Sequence, residues 1–143
     1  AAGYPAPGGA GGEYPTRAAA PPSRYYGETE ELLGHYAWYS RSSMDQLMPV
    51  GLKKPNDLGL FDAHGNCYTW CQEASAPYPA GQQVVEDTEN PLLVLDSENR
   101  MLRGGAYSAP ASYLRSAFRL ANVPTIRTVY GSMRPARTLF PDR

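Results

Sequence analysis

The chain has 143 residues, which is enough for one domain built around one hydrophobic core. Its formal net charge is -1 and its pI is about 6.1, a balance without the electrostatic footprint of a nucleic-acid or anionic-membrane partner. No apolar run reaches the ~18 residues that a membrane-spanning helix requires, so we expect neither nucleic-acid binding nor membrane insertion. Two cysteines are too few for a disulfide-rich scaffold.

The N-terminal stretch differs in composition from the rest of the chain. Residues 1–22 are almost all Ala, Gly and Pro, without apolar periodicity, and this composition predicts a flexible or polyproline-like arm. Residues 23–143 carry the side chains needed for a core. At their start, Thr29 followed by Glu30 and Glu31 predicts a short helix from Thr29 to Leu33, with Gly34 at its end.

Turn-forming residues recur every few positions through the rest of the chain and leave room only for short strands. We expect these strands at residues 59–61, 67–71, 101–103, 114–119 and 133–137. The sequence therefore predicts a small α+β domain with short strands and little regular secondary structure.

The stretch HGNCYTWC, residues 64–71, contains both cysteines and one of the two histidines. Structural zinc requires four ligands, and the other histidine, His35, is isolated in the sequence. A redox pair requires a helix N-terminus or cations nearby, and two strand residues four apart lie about 13 Å apart, too far for a disulfide. The favoured interpretation makes Cys67 and Cys71 small packing residues on one inward face.

Five arginines lie in segments that otherwise have the pattern of buried strands: Arg103, Arg115, Arg119, Arg134 and Arg137. A buried guanidinium must find carboxylates or backbone carbonyls. Two interpretations remain open, structural ion pairs and a basic site for an anion.

Three segments taken together resemble the C-terminal half of the formylglycine-generating enzyme (sulfatase-modifying factor) family: GLKKPNDLGLFDAHGNCYTWCQE, RMLRGGAYSAPASYLRSAFR and RPARTL. The resemblance implies a variant of the C-type lectin-like fold. Residues 23–143 would then be the C-terminal part of such a domain, and residues 1–22 either an arm or a degenerate family segment.

The resemblance also bears on metals. Formylglycine-generating enzymes oxidise a sulfatase cysteine with copper held by two cysteine thiolates, and the matching segment here, 106–119, contains no cysteine; copper is therefore not expected. A family calcium site would use the carboxylate of Asp62 and the backbone carbonyls of Gly65 and Cys67, with Thr69 where the family has a glutamate.

A second branch of the fold consists of variable proteins diversified by retroelements, and the frame of RSA, NVPT and RP between residues 115 and 135 resembles theirs. The resemblance implies a non-catalytic ligand-binding or display module whose partner is an unidentified protein or other ligand. The residues expected to contact it are Tyr107, Tyr113, Leu120, Ile126, Val129 and Tyr130. Two alternatives stay open. These side chains could pack in a core or against the N-terminal half of the family domain, or the chain could be an oxidoreductase acting on sulfatase cysteines.

Overall fold

The computed structural model describes residues 29–75 and 98–135. The regular elements in these ranges are the helix α1 (Leu33–Tyr36), a 3-10 helix (Ala111–Leu114) and the strands β1 (Tyr68–Ala74), β2 (Arg100–Arg103), β3 (Leu120–Asn122) and β4 (Gly131–Ser132). The predicted arm over residues 1–22 lies outside the described residues. The mixture of a short helix and short strands agrees with the density of turn signals in the sequence.

The four strands form one sheet in the order β3-β2-β1-β4. Strand β2 runs antiparallel to both of its neighbours, pairing Leu102 with Trp70 of β1 and with Leu120 of β3. Strand β4 pairs in parallel with β1, where Tyr68 faces Gly131. The two edges of the sheet are therefore β3 and β4, which are joined by residues 123–130.

The helix lies further along the chain than predicted. It begins at Leu33, where the predicted helix ended, and the Ala37 N–H closes it on the Leu33 carbonyl at 2.9 Å. Leu33 is fully buried, and a Cβ at Gly34 would meet open space. The burial of Leu33 thus decides the position of the helix against the local propensity of the acidic turn before it.

Two predicted strands are confirmed and three are wrong in position. Strands β1 and β2 cover the predicted 67–71 and 101–103 with shifted ends. Residues 59–61 form a turn instead, in which the Asn56 carboxamide oxygen accepts from the N–H groups of Leu58 and Leu60 at 3.0 and 2.9 Å.

The C-terminal strands are shorter than the apolar pattern suggested. Residues 111–114 form the 3-10 helix, and the Phe118 N–H then turns back onto the Arg115 carbonyl, so extended pairing starts only at Leu120. Strand β4 ends at Ser132, before the predicted 133–137, of which residues 136 and 137 lie outside the described ranges.

The core lies between α1, the sheet and the 3-10 helix. Its buried apolar members are Leu33, Ala37, Tyr39, Tyr68, Leu102, Ala106, Ala109, Ala111 and Leu114. Four larger side chains pack against this cluster from its margin while remaining partly exposed: Trp70, Phe118, Leu120 and Tyr130.

Gly65 and Asn66 connect the loop that precedes β1 to the loops that contain Trp38 and Met48. Gly65 has φ +78°, and a Cβ there would lie 2.2 Å from the Trp38 carbonyl oxygen, so the close approach of the two backbones requires glycine. The Asn66 side chain accepts from the Met48 N–H at 3.0 Å and donates to the Met48 carbonyl at 2.9 Å. These contacts fix the loop that precedes β1.

In the two described ranges, no helix has the length and apolar character needed to cross a membrane.

Candidate binding segment and adjacent cavity

The residues predicted to contact a ligand fall mostly in residues 113–131, here called the display segment. It leaves the 3-10 helix, forms β3 at one edge of the sheet and ends in β4 at the other edge. Its first aromatic pair, Tyr113 and Phe118, is stacked with ring centroids 4.3 Å apart. Stacking of this kind holds both rings in place before any ligand arrives.

Three of the predicted residues present their side chains to solvent. Tyr113 is 41% exposed, Ile126 37% and Val129 70%. Folding leaves part of the apolar surface of each of these side chains in water. They are the part of the prediction that suits contact with a partner.

Leu120 and Tyr130 have a different environment. Both pack against the core, and the Tyr130 ring meets Tyr68 edge-on with centroids 6.0 Å apart. Burial, with smaller contributions from the phenols of Tyr113 and Tyr130, raises the pKa of Tyr68 to about 12. Tyr113 and Tyr130 therefore both lie near Tyr68, which joins the exposed and packed parts of the segment.

Tyr107 precedes the display segment and is half-buried. Its N–H donates to the Asn66 carbonyl at 2.9 Å, and its carbonyl accepts from the Ser43 hydroxyl at 2.9 Å. The backbone of Tyr107 is thus part of the loops around Asn66. Tyr107 is not one of the tyrosines that lie near Tyr68, which are Tyr113 and Tyr130.

An ion-pair cluster connects the display segment to strands β1 and β2. Glu73 on β1 lies 3.9 Å from the Arg103 guanidinium and 3.6 Å from that of Arg119. Arg103 also donates to the Ser116 carbonyl at 3.2 Å. For these two arginines, the structural interpretation of the sequence is confirmed.

A cavity of about 440 Å³ lies beside β4 and the loop before β1. All the predicted calcium ligands line it, Asp62, Gly65 and Cys67, together with Thr69. Its remaining walls are mostly apolar and include Val50, Phe61 and Met133, with Arg134 as a second charged group.

The donor atoms in this cavity fit a hard cation in one respect. One oxygen of Asp62, Oδ2, accepts from the Gly51 N–H at 2.7 Å, while Oδ1 is buried and has no hydrogen-bond partner within the described parts of the chain. A buried carboxylate oxygen is costly unless a proton donor or cation satisfies it. The Asp62 backbone has φ +52°, a strained conformation that turns this residue toward the cavity loop.

Arg134 was not expected in this place. Its guanidinium donates to the Phe61 carbonyl at 2.7 Å and to the Asp62 carbonyl at 3.3 Å, across more than 70 residues of sequence. It brings a positive charge to the cavity that Asp62 lines. The RP pair in the sequence marked Arg134 as part of the frame, but only the fold reveals that it holds the Asp62 turn.

The cysteines and His64 do not form a metal cluster. Across residues 29–75 and 98–135, no three His, Cys, Asp or Glu side chains are placed to hold a metal ion. Both thiols are free, as the strand spacing predicted, and His64 is fully buried with Nε2 3.5 Å from the Ser116 hydroxyl.

Burial disfavours ionisation of both thiols. It raises the pKa of Cys67 and raises that of Cys71 to about 11; at Cys71 the Arg103 and Arg119 charges oppose this effect and Glu73 adds to it. Cys71 is buried, as expected of a packing residue, whereas Cys67 lies just before β1 and lines the cavity.

Solved structures share this architecture. Variable protein 1 of Treponema denticola superimposes with a TM-score of 0.79 at 29% sequence identity, covering 90% of this chain and 45% of that one. PvdO of Pseudomonas aeruginosa follows with a TM-score of 0.67 and 23% identity over 90% of this chain and 50% of its own. The expected α+β, C-type lectin-like fold with little regular secondary structure is confirmed.

Sequence relatives match about half of the chain. The serine/threonine-protein kinase Pkn1 of Chlamydia pneumoniae is 35% identical over 78 residues, 54% of this chain and 12% of its own length. The formylglycine-generating enzyme of Streptomyces coelicolor is 33% identical over 79 residues, 53% of this chain and 24% of its own. The chain thus spans a quarter or less of these relatives. The sequence pattern of the sulfatase-modifying factor enzyme 1-like domain matches residues 1–139, and the chain belongs to this family.

Proposed function

We propose that this domain is a ligand-binding module that presents the display segment to a partner. The observation that carries the proposal is the exposure of Tyr113, Ile126 and Val129 on a segment that is held by the 3-10 helix and by two strands of the sheet. Aromatic and apolar side chains held on a rigid scaffold lose little entropy on binding, which makes them effective contact residues. Leu120 and Tyr130 would act chiefly as the packed support of this surface.

Similarity to variable protein 1 of Treponema denticola supports a further part of the proposal, that the segment is diversified. Within the segment, Ser116 is buried and Arg119 pairs with Glu73, whereas exposed positions such as Ile126 and Val129 could change without altering the core. A near-copy of the last ~40 codons beside the gene, with a reverse transcriptase nearby, would support this part. Their absence would remove its main motive.

The enzymatic alternative is formylglycine generation on sulfatase cysteines. Segment 106–119 offers no thiolate for copper, and the two cysteines of the chain, Cys67 and Cys71, lie elsewhere with raised thiol pKa values. These observations favour binding. Incubation with copper and a cysteine-containing sulfatase peptide tests the alternative, because aldehyde formation at any measurable rate would contradict a purely binding role.

The binding role is tested with two displayed libraries. One randomises Tyr113, Ile126 and Val129, and the control randomises three apolar residues outside the segment that are at least as exposed, Met44, Leu52 and Leu58. Both are selected against the same panel of globular proteins. We expect the first library to yield at least about tenfold more binders, since its positions all lie on the display segment. Equal yields would contradict the proposal.

We also propose a weak calcium site at Asp62, supported by the buried, unpartnered Oδ1 described above. The Asp62 carboxylate and the carbonyls of Gly65 and Cys67 would hold the ion, and Thr69 would add a neutral oxygen at most. Calcium would supply charge neutralisation and hold the loop. With one carboxylate and the Arg134 charge nearby, we expect affinity in roughly the millimolar range.

A further inference from the structure

Charge is distributed unevenly between the two described ranges. Residues 98–135 contain six arginines and one acidic residue, Glu98, whereas residues 29–75 contain six acidic and three basic residues. The small net charge of the whole chain conceals this asymmetry. The display segment lies entirely within the basic range.

Four of the six arginines have structural contacts. Arg100 donates to the Gln72 carbonyl at 3.0 Å, Arg103 and Arg119 lie beside Glu73, and Arg134 holds the Asp62 turn. These contacts explain why the arginines occur in segments that otherwise look buried.

Arg115 and Arg127 are exposed and lie inside the display segment. The Nε–H of Arg115 donates to the Ser112 carbonyl at 3.0 Å, which orients the side chain at the end of the 3-10 helix while its two Nη groups can serve a partner. Arg115 follows Tyr113 by two residues, and Arg127 adjoins Ile126. Each exposed arginine is therefore close in sequence to an exposed apolar residue of the same segment.

We propose that the partner of the display segment is a protein with an acidic surface, whose carboxylates pair with Arg115 and Arg127 while its apolar groups meet Tyr113, Ile126 and Val129. This inference rests on the proposed binding role. Arginine and tyrosine together are the commonest composition of interface hot spots, and guanidinium pairs with carboxylate through two parallel hydrogen bonds. With no acidic side chain between residues 100 and 135, nothing in this range repels such a surface.

Nucleic acid is the less suitable polyanion for this surface. Strong phosphate binding requires a row of several cations, and its affinity grows with their number. The display segment offers two exposed guanidinium groups, separated by apolar side chains that a phosphate backbone would leave uncompensated. A protein surface that mixes carboxylates with apolar groups matches both kinds of residue.

Fluorescence anisotropy with a labelled poly(Glu,Tyr) copolymer tests the inference, because this probe combines carboxylates with aromatic groups. The full chain is compared with the double variant Arg115→Glu/Arg127→Glu, with Arg41→Glu as the matched control, since Arg41 is exposed but belongs to the range 29–75. A third variant, Tyr113→Ser/Ile126→Ser/Val129→Ser, removes the apolar contacts. Near-UV circular dichroism establishes that each variant is folded.

We expect the double arginine variant to lose at least about tenfold in affinity at low salt, and Arg41→Glu to change it less than about twofold. Raising the salt concentration should weaken binding of the parent chain more than that of the arginine variant. If the arginine variant retains its affinity while the serine variant loses it, the acidic partner is wrong and the binding role stands.

If neither variant changes the affinity, both the inference and the role of the segment fail. Absence of binding by the parent chain at low salt overturns the acidic partner, whereas the library comparison tests the binding role independently. A duplex DNA probe that binds as tightly as the copolymer, and depends on the same two arginines, overturns the assignment to a protein partner.

Discussion

Single backbone positions decide how the loops below the sheet meet. At Gly65 the chain is left-handed and an added Cβ would clash with the Trp38 backbone, while Gly59 has nearly the same φ, +75°, with open space around an added Cβ. Substitution at Gly59 measures the cost of a left-handed conformation alone, and substitution at Gly65 adds the cost of a steric clash.

We predict that Gly65→Ala destabilises the domain by well over 3 kcal/mol, because a methyl group must displace the Trp38 carbonyl in addition to the left-handed strain. Gly59→Ala should cost only about 1 to 2 kcal/mol, the strain alone. Urea unfolding of both variants measures the difference. Equal losses would mean that the close approach to Trp38 is not required by the fold.

Tyr68 gives the domain a pH-dependent property. Its pKa is about 12 in the folded state against an ordinary value of 10.0, so the unfolded chain ionises first as the pH rises. The neutral phenol contributes stability that is fully present below pH 10 and is lost between pH 10 and 12. We predict that Tyr68→Phe loses stability less steeply over this range, measured by thermal melting. An unchanged slope would contradict the burial of this phenol.

At the scale of elements, β1 and β2 are joined to the display segment by the ion pairs of Glu73 with Arg103 and Arg119, here called the Glu73 cluster. Glu73 is 22% exposed and Arg103 5%, so removing the carboxylate leaves two poorly solvated guanidinium groups. We predict that Glu73→Gln costs roughly 3 kcal/mol in urea unfolding, in the range for broken buried pairs.

Glu98→Gln is the control for this cluster. It removes the pair of Glu98 with Arg100, whose carboxylate side is half-exposed, and should cost less than about 1 kcal/mol. Equal effects of the two substitutions would show that the Glu73 cluster contributes no more than a surface pair.

The elements also show what the sequence could predict. Strands β1 and β2 follow from short apolar runs bounded by turn residues, and the Gly65–Asn66 and Arg103–Gly104 pairs place them in the family fold. The segment 114–119 is also predicted as a strand but does not form one, because the 3-10 helix extends to Leu114 and the Phe118 N–H turns back onto the Arg115 carbonyl. A local pattern cannot distinguish these two outcomes.

Some features of the candidate site could be predicted from the sequence and others could not. Exposure of Tyr113, Ile126 and Val129 agrees with the interpretation from the sequence, whereas packing of Leu120 and Tyr130 depends on sheet partners distant in the chain. The cavity contacts of Arg134 join residues more than 70 positions apart and have no local signal.

For the whole molecule, calcium should act as a stabilising ligand. At about ten times its Kd it would add roughly 1.4 kcal/mol, equivalent to a rise in Tm of about 4 °C. We predict this rise on replacing chelator by calcium. Asp62→Asn retains the acceptor for the Gly51 N–H but removes the charge, and should abolish the rise. A rise that persists in this variant would contradict the site.

The positions of β3 and β4 at opposite edges of the sheet affect which mutations the domain can tolerate. Residues 123–130 must cross from one edge to the other, about 14 Å for three strand spacings, and eight residues can extend to roughly twice that distance. Both ends are anchored by backbone hydrogen bonds, which any amino acid except proline can make. Mutations at the exposed positions between the anchors, such as Ile126 and Val129, can therefore accumulate with little effect on folding, and selection at these positions can act on recognition.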